Sequence, residues 1–164
     1  VPDGPVCGCG AHGCLEAVAA GPAIARDVVA RIKAGKKSRV SKLVDGDLSK
    51  VDARVVNTAA QLGDKIAIMA FRRAGRYLGI GISNVITVLT PELVILGGGW
   101  SSAGDLIIEP IKAEMRRRVI TTPVERVEVK LAELGTWAGA IGAAVHGAER
   151  AAVARSVATG AGPA

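Results

Sequence analysis

All three cysteines of this chain fall in one eight-residue stretch, Cys7-Gly8-Cys9-Gly10-Ala11-His12-Gly13-Cys14. Glycine lacks a Cβ, so the residues at 8, 10 and 13 let a loop wrap tightly enough for three sulfurs to converge. Thiolates bind zinc well, and a closed tetrahedral structural site takes four ligands. Cys7, Cys9 and Cys14 supply three. His12 lies inside the loop but is cramped between Cys9 and Cys14. His146 stands on the final helical segment, where a lone histidine is more often solvated or packed. A ligand from before Val1 would complete the set; the competing reading is three reduced thiols in a flexible loop.

Three is an odd number, and the opening VPDGPV is neither a secretory signal nor a transit peptide. Both facts point to a reducing cytoplasm and against a disulfide framework. The chain opens without an initiator methionine, so residues upstream are expected. The longest mostly apolar run, Leu78 to Thr90, is shorter than the ~20 residues of a membrane span. With 164 residues, 49% hydrophobic and 22% charged, the composition reads as one soluble globular domain. Aromatics make up only 2%, so the core must be built from Ala, Val, Ile and Leu. The net charge is +6, with basic groups at Lys33 to Arg39, Arg72/Arg73/Arg76 and Arg116 to Arg118. Stacking aromatics and a helix-turn-helix pattern are both missing, which argues against a nucleic-acid reader. Solvated helix faces and helix C-termini account for the charge.

After the loop, Gly21-Pro22 starts a helix with Pro at its first position, and Ile24, Val28 and Ile32 give one apolar face. Lys33 to Lys50 reads as a polar surface excursion. A helix over Asp52 to Leu62 ends at Gly63, and Asp64 caps the next, which runs from about Lys65 towards Val88. The second half of that helix is apolar on nearly every side and is expected to be buried. Gly79 and Gly81 weaken it unless another backbone packs closely there. Pro91 ends it. Leu93 to Leu96 fits a buried strand, and Gly97-Gly98-Gly99 then turns the chain. Ser101 to Arg118 reads as a helix that Pro110 either kinks or starts. Val127, Val129 and Leu131 alternate as a half-buried strand. Gly135 to Arg150 is a final helix, and 151–164 reads as a disordered tail. The order implies an α/β layer.

Cys-Gly-Cys-Gly-Ala-His-Gly-Cys-Leu-Glu, residues 7–16, resembles the C-x-C-G-x-x-G-C-x-E signature of the ROK family of repressors and sugar kinases. Gly63-Asp64, the TPELVILGGG run at 90–99 and LGTWAGAIGAA at 134–144 are similar to the same family. The resemblance implies that residues 1–150 are the C-terminal part of an actin-like ATPase (ribonuclease H-like) lobe. It implies a structural Zn²⁺ held by Cys7, Cys9, Cys14 and an upstream histidine. It implies that Glu16 contacts the sugar, since a carboxylate accepts hydrogen bonds from hydroxyls and a metal loop can orient it. A glutamate in a first helical turn is also favoured by the dipole alone. Gly97, Gly98 and Gly99 become candidates for a nucleotide site, where bare backbone lets phosphate or adenosine approach. Ala11 departs from the polar residue that many members carry there.

The expected parent is a glucokinase-like enzyme moving phosphate from ATP, with Mg²⁺, to a hexose or N-acetylhexosamine. The family's Asp-x-Gly-Gly-Thr phosphate loop, its catalytic aspartate, its second phosphate loop and its Glu-x-Gly-His segment do not occur in residues 1–164. Asp27, Asp45, Asp47, Asp64 and Asp105 sit in contexts better explained as caps or surface positions. The chain alone is therefore expected to be inactive. The alternatives are a sugar-sensing repressor of the same family, which would touch DNA through upstream helices, and a free-standing zinc module. Self-association is expected, and no membrane partner.

Overall fold

A computed structural model describes residues 1–98 and 103–158. Its elements are α1 (Leu15–Ala19), α2 (Gly21–Lys33), α3 (Val40–Leu43), α4 (Ala53–Gln61), α5 (Lys65–Leu89), β1 (Leu93–Leu96), α6 (Asp105–Arg118), β2 (Glu128–Leu131) and α7 (Ala138–Ala158), with short 3₁₀ turns between several of them. The α/β order expected from the sequence is present, and α5 is its spine.

Local chemistry sets the ends of α5. The Asp64 carboxylate accepts the Ala67 N–H at 2.9 Å and caps the first turn. Its other oxygen accepts the Ser38 hydroxyl at 3.0 Å and the Arg39 N–H at 2.5 Å. Asp64 thus ties the 33–50 segment to the spine, and Val40 and Val44 are buried beneath it. The surface excursion expected there is a pinned segment containing α3, because one buried carboxylate satisfies donors from both sides.

Burial alone would raise the Asp64 pKa, but the N–H groups of Ala67 and Arg39 and the Ser38 hydroxyl outweigh it and hold the group below its ordinary value. A depressed folded pKa stabilises the fold above the unfolded value, ~3.9, and that stability is lost as pH falls through the folded value. Asp64→Ala is expected to cost about 2–3 kcal/mol at neutral pH, from the lost cap and the donors left buried. Urea unfolding should show the gap from the unaltered chain shrinking below about pH 4; a gap constant with pH would refute the account.

At its other end α5 stops at Thr90, which adopts the left-handed region with φ 47° and ψ 54°. Pro91 follows and cannot continue the helix. A β-branched residue is strained at this cap, where glycine is favoured. Thr90→Gly is expected to raise stability by about 1 kcal/mol, read from the urea midpoint.

The stripe Gly75, Gly79, Ser83 and Ile86 of α5 is buried. Helix α6 presses on its first part. A Cβ at Gly75 would come within 2.9 Å of Pro110 Cβ and 3.0 Å of the Ile107 carbonyl oxygen. One at Gly79 would meet Glu114 Cβ at 2.7 Å and the Ile111 carbonyl oxygen at 2.9 Å. Close approach of a second backbone is therefore what Gly79 serves, as the sequence predicted. Pro110 lies inside α6 and does not start it; its ring sits over Gly75.

Strands β1 and β2 pair in parallel, with Leu93 opposite Glu128 and Leu96 opposite Leu131. The face carrying Leu96 and Val129 joins the core with Ile107, Ile111 and Met115 of α6, an aliphatic core in which Phe71 is the one buried aromatic among the described residues. The other face carries Leu93 and Ile95, both exposed.

Two expectations need correction. The second half of α5 is not buried all round: Val85, Val88 and Leu89 are 49%, 79% and 71% exposed, because described neighbours cover only one of its faces. Of the tail expected to be disordered over 151–164, residues 151–158 continue α7, and 159–164 lie outside the described residues. Ala-rich sequence favours helix, and α7 is exposed along most of its length.

Basic groups also acquire partners. Glu114, 7% exposed, accepts Arg118 at 2.8 Å and Arg76 at 3.0 Å, with Arg117 at 3.7 Å. The hydrogen bond from Arg118 and the three positive charges hold its carboxyl below the ordinary value. Arg73 pairs with Asp27 at 2.8 Å.

Candidate metal centre

The cysteine loop is a tight hairpin. Val6 and His12 form an isolated antiparallel bridge. The Cys7 N–H donates to the Ala11 carbonyl at 2.8 Å, the Gly10 N–H to Cys7 at 2.9 Å and the Gly13 N–H to Pro5 at 2.9 Å. Gly10 and Gly13 adopt φ of 87° and 66°, a conformation side chains rarely tolerate. The glycines thus do what the sequence implied, and the three Sγ atoms lie within 4.8 Å of one another. Cys7 is buried, Cys14 half-buried and Cys9 exposed.

The Cys9 and Cys14 sulfurs are 3.7 Å apart. Two thiolates on a tetrahedral zinc, each ~2.3 Å from the metal, lie about 3.8 Å apart. The donor set fits a zinc ion in softness and in this one edge. A hydrogen bond from the Ala11 backbone, then one from Cys14, lowers the Cys9 pKa. Cys14 is pushed up to about 11, first by its hydrogen bond to Cys9. A metal would displace the protons that these thiols carry.

His12 does not turn inward. Its Nδ1 lies 3.4 Å from the Gly4 carbonyl oxygen, on the outer side of the hairpin. His146 stands on exposed α7. Among the described residues no imidazole joins the three sulfurs.

Cys14 leads directly into α1, which puts Glu16 in that helix's first turn. The Glu16 carboxylate accepts the Cys7 thiol at 3.7 Å and is otherwise exposed. Helix α1 is anchored on the spine by Leu15, whose side chain lies over Gly81, 2.9 Å from where a Cβ would stand. Gly81 thus admits a side chain, where a backbone was expected. The role of Leu15 had no signal in the sequence beyond its place next to Cys14.

Gly97 and Gly98 follow β1 at its C-terminal end, and Gly98 turns the chain with φ 79°, where a Cβ would meet no described atom within 4 Å. Gly99 lies outside the described residues. Of the five aspartates weighed as catalytic, Asp47 and Asp64 cap turns or helices and Asp27 pairs with two arginines. Asp105 sits in the first turn of α6 and Asp45 takes a positive φ of 50° in a turn.

A parallel β-α-β unit packed on a long helix, beside a thiol hairpin leading into a carboxylate, defines the class, and sequence comparison agrees. The ROK family profile matches residues 1–149. The chain is 34% identical over 147 residues to a glucokinase of Streptomyces coelicolor, covering 88% of this chain and 46% of that protein. Its structure matches a ROK family glucokinase from Streptomyces griseus, solved with glucose and AMPPNP, at TM-score 0.78 and 35% identity. That match covers 87% of this chain and 47% of the other. A ROK family transcriptional regulator, a homologue of the E. coli MLC protein, matches at TM-score 0.70 and 30% identity over 80% of this chain and 32% of its own. The chain belongs to the ROK family, and its fold is that of the actin-like ATPase lobe of ROK sugar kinases. It spans about half the length of the glucokinases it matches.

Proposed function

We propose that this chain is the sugar-facing, metal-carrying part of an ATP-dependent sugar kinase of glucokinase type, acting on a hexose or N-acetylhexosamine. The observation that carries the reading is the convergence of three thiols beside the exposed carboxylate of Glu16. Cys7, Cys9 and Cys14 hold a structural Zn²⁺, with an imidazole from outside the chain as fourth ligand. The ion supplies rigidity and no redox chemistry. The hairpin and Leu15 set α1, and Glu16 accepts sugar hydroxyls. The backbone at Gly97 and Gly98 faces the nucleotide, in keeping with the likeness to the S. griseus enzyme solved with AMPPNP; Gly99, the third candidate, lies outside the described residues. Phosphate transfer also needs an aspartate base and Mg²⁺-bound phosphate loops, so the chain alone does not catalyse it.

Glu16→Gln in the zinc-loaded parent is expected to weaken sugar binding about 10- to 100-fold, the effect of losing a charged hydrogen-bond acceptor at ~1.5–3 kcal/mol. Calorimetric titration with glucose and N-acetylglucosamine reads this; unchanged affinity for both would remove Glu16 from the site.

The likeness to a transcriptional regulator supports a second reading, a sugar-sensing repressor with the same loop. Turnover of ATP and sugar by the parent decides between them. We further propose that the parent is cytoplasmic and self-associates, with the exposed faces of α5 and α7 as contacts; a monomer by light scattering at high concentration would refute the association.

A further inference from the structure

The three sulfurs are not equivalent, and the difference has a redox consequence. Cys9 is exposed and Cys14 half-buried, with their Sγ atoms 3.7 Å apart. Cys7 is 6% exposed, its backbone is held by Ala11 and Gly10, and its thiol is directed to the Glu16 carboxylate. The 3.7 Å gap closes to a ~2.05 Å bond by rotation of the two side chains and small dihedral changes in the four-residue turn from Gly10 to Gly13. Cys7 and Cys9 are separated by a single residue, too little chain for an unstrained bridge.

We propose that the loop is a peroxide-responsive switch in which Cys9 and Cys14 form a disulfide while Cys7 stays reduced. The oxidant is hydrogen peroxide. The exposed Cys9 sulfur attacks one peroxide oxygen, the O–O bond breaks, and Cys9 becomes a sulfenic acid as one water leaves. The Cys14 sulfur then attacks the Cys9 sulfur, the S–O bond breaks, and a second water leaves with the disulfide formed. In sum, two thiols and one peroxide give one disulfide and two waters; starting from zinc thiolates, two protons are taken from solvent. A disulfide cannot serve as two thiolate ligands, so the metal is released. Release rests on the zinc reading above, whereas the choice of sulfur pair does not.

The test uses the intact parent, which supplies the fourth ligand, reduced and prepared in two forms, zinc-reconstituted and metal-free. Both are exposed to a small excess of hydrogen peroxide, blocked with iodoacetamide after unfolding, and mapped by mass spectrometry without reduction. A chromogenic chelator follows zinc. The expected result is a Cys9–Cys14 disulfide in both forms, alkylated Cys7, and release of one zinc per chain from the loaded form, with metal rebound after dithiothreitol. Cys9→Ser should abolish the disulfide and leave Cys14 alkylated. A bridge that includes Cys7, or sulfinic acids at Cys9 and Cys14 with no bridge, overturns the proposal. If reconstitution yields no bound zinc, the zinc reading fails, and the map of the metal-free form alone confirms or overturns the pairing.

Discussion

A variant of the intact parent with Cys7, Cys9 and Cys14 all changed to serine is expected to emerge from zinc reconstitution with no bound metal, against about one ion per chain for the unaltered parent. Serine hydroxyls stay protonated at neutral pH and are hard donors, so they cannot replace thiolates on zinc. The loss has two consequences. Zinc that binds only the folded state stabilises it by about 4 kcal/mol at a thousandfold excess over its Kd, so the thermal midpoint of the zinc-supplied variant should fall below that of the parent. In addition, α1 hangs from Cys14, and Glu16 is two residues further on. With the loop free, sugar affinity of the intact parent should drop about 10- to 100-fold, the range seen when groups supporting a metal site are removed. Far-ultraviolet circular dichroism should change little, because α5 and α6 pack without the loop. Metal content by mass spectrometry and a glucose titration measure the two effects. Zinc retained by the serine variant, or an unaltered sugar affinity, would dismantle the metal reading.

Gly79→Leu should be as damaging, by a different route. The new Cβ would stand 2.7 Å from Glu114 Cβ, 2.9 Å from the Ile111 carbonyl oxygen and 3.1 Å from Ile111 Cα. Two of those three atoms are backbone and cannot rotate away. Helix α6 must move off α5, and with it go Ile107, Ile111 and Met115, all at most 2% exposed. The cost is about 3 kcal/mol or more, set against a total stability of ~5–15 kcal/mol for a domain. The control is Gly81→Ala. There the nearest atom is the end of the Leu15 side chain, which can rotate, and alanine gains ~1 kcal/mol of helix propensity. That change should be close to neutral. Chemical denaturation of both variants distinguishes them; equal losses would mean that the α5–α6 approach is not what makes Gly79 necessary.

These two glycines show how far the sequence could be read. Their presence in a helix signalled a close neighbour, but only the fold shows that one meets backbone and the other a leucine tip. The same holds for charge. Arg76 and Arg116 to Arg118 read as solvated, and α6 does end in basic residues. Yet Glu114 gathers Arg76 from a helix far away in sequence, an encounter no local pattern encodes. Hydropathy predicts a second half of α5 buried all round, and Val85, Val88 and Leu89 are exposed, because hydropathy reports what could be covered and not what covers it. Residues 151–158 are helical because their alanines favour helix, a propensity that small size and low complexity mask.

Local chemistry alone determined the hairpin of thiols, the Asp64 cap, the break at Pro91 and the strand before the glycines, since each depends on residues within a few positions of one another. Tertiary structure decided which thiol is buried, which way His12 turns, and that Glu16 lies against Cys7. Those outcomes depend on contacts between residues eight or more positions apart, His12 with Gly4 and Cys7 with Glu16. Side-chain burial is a property of surfaces brought together across the chain, and periodicity within one segment carries no information about its partner.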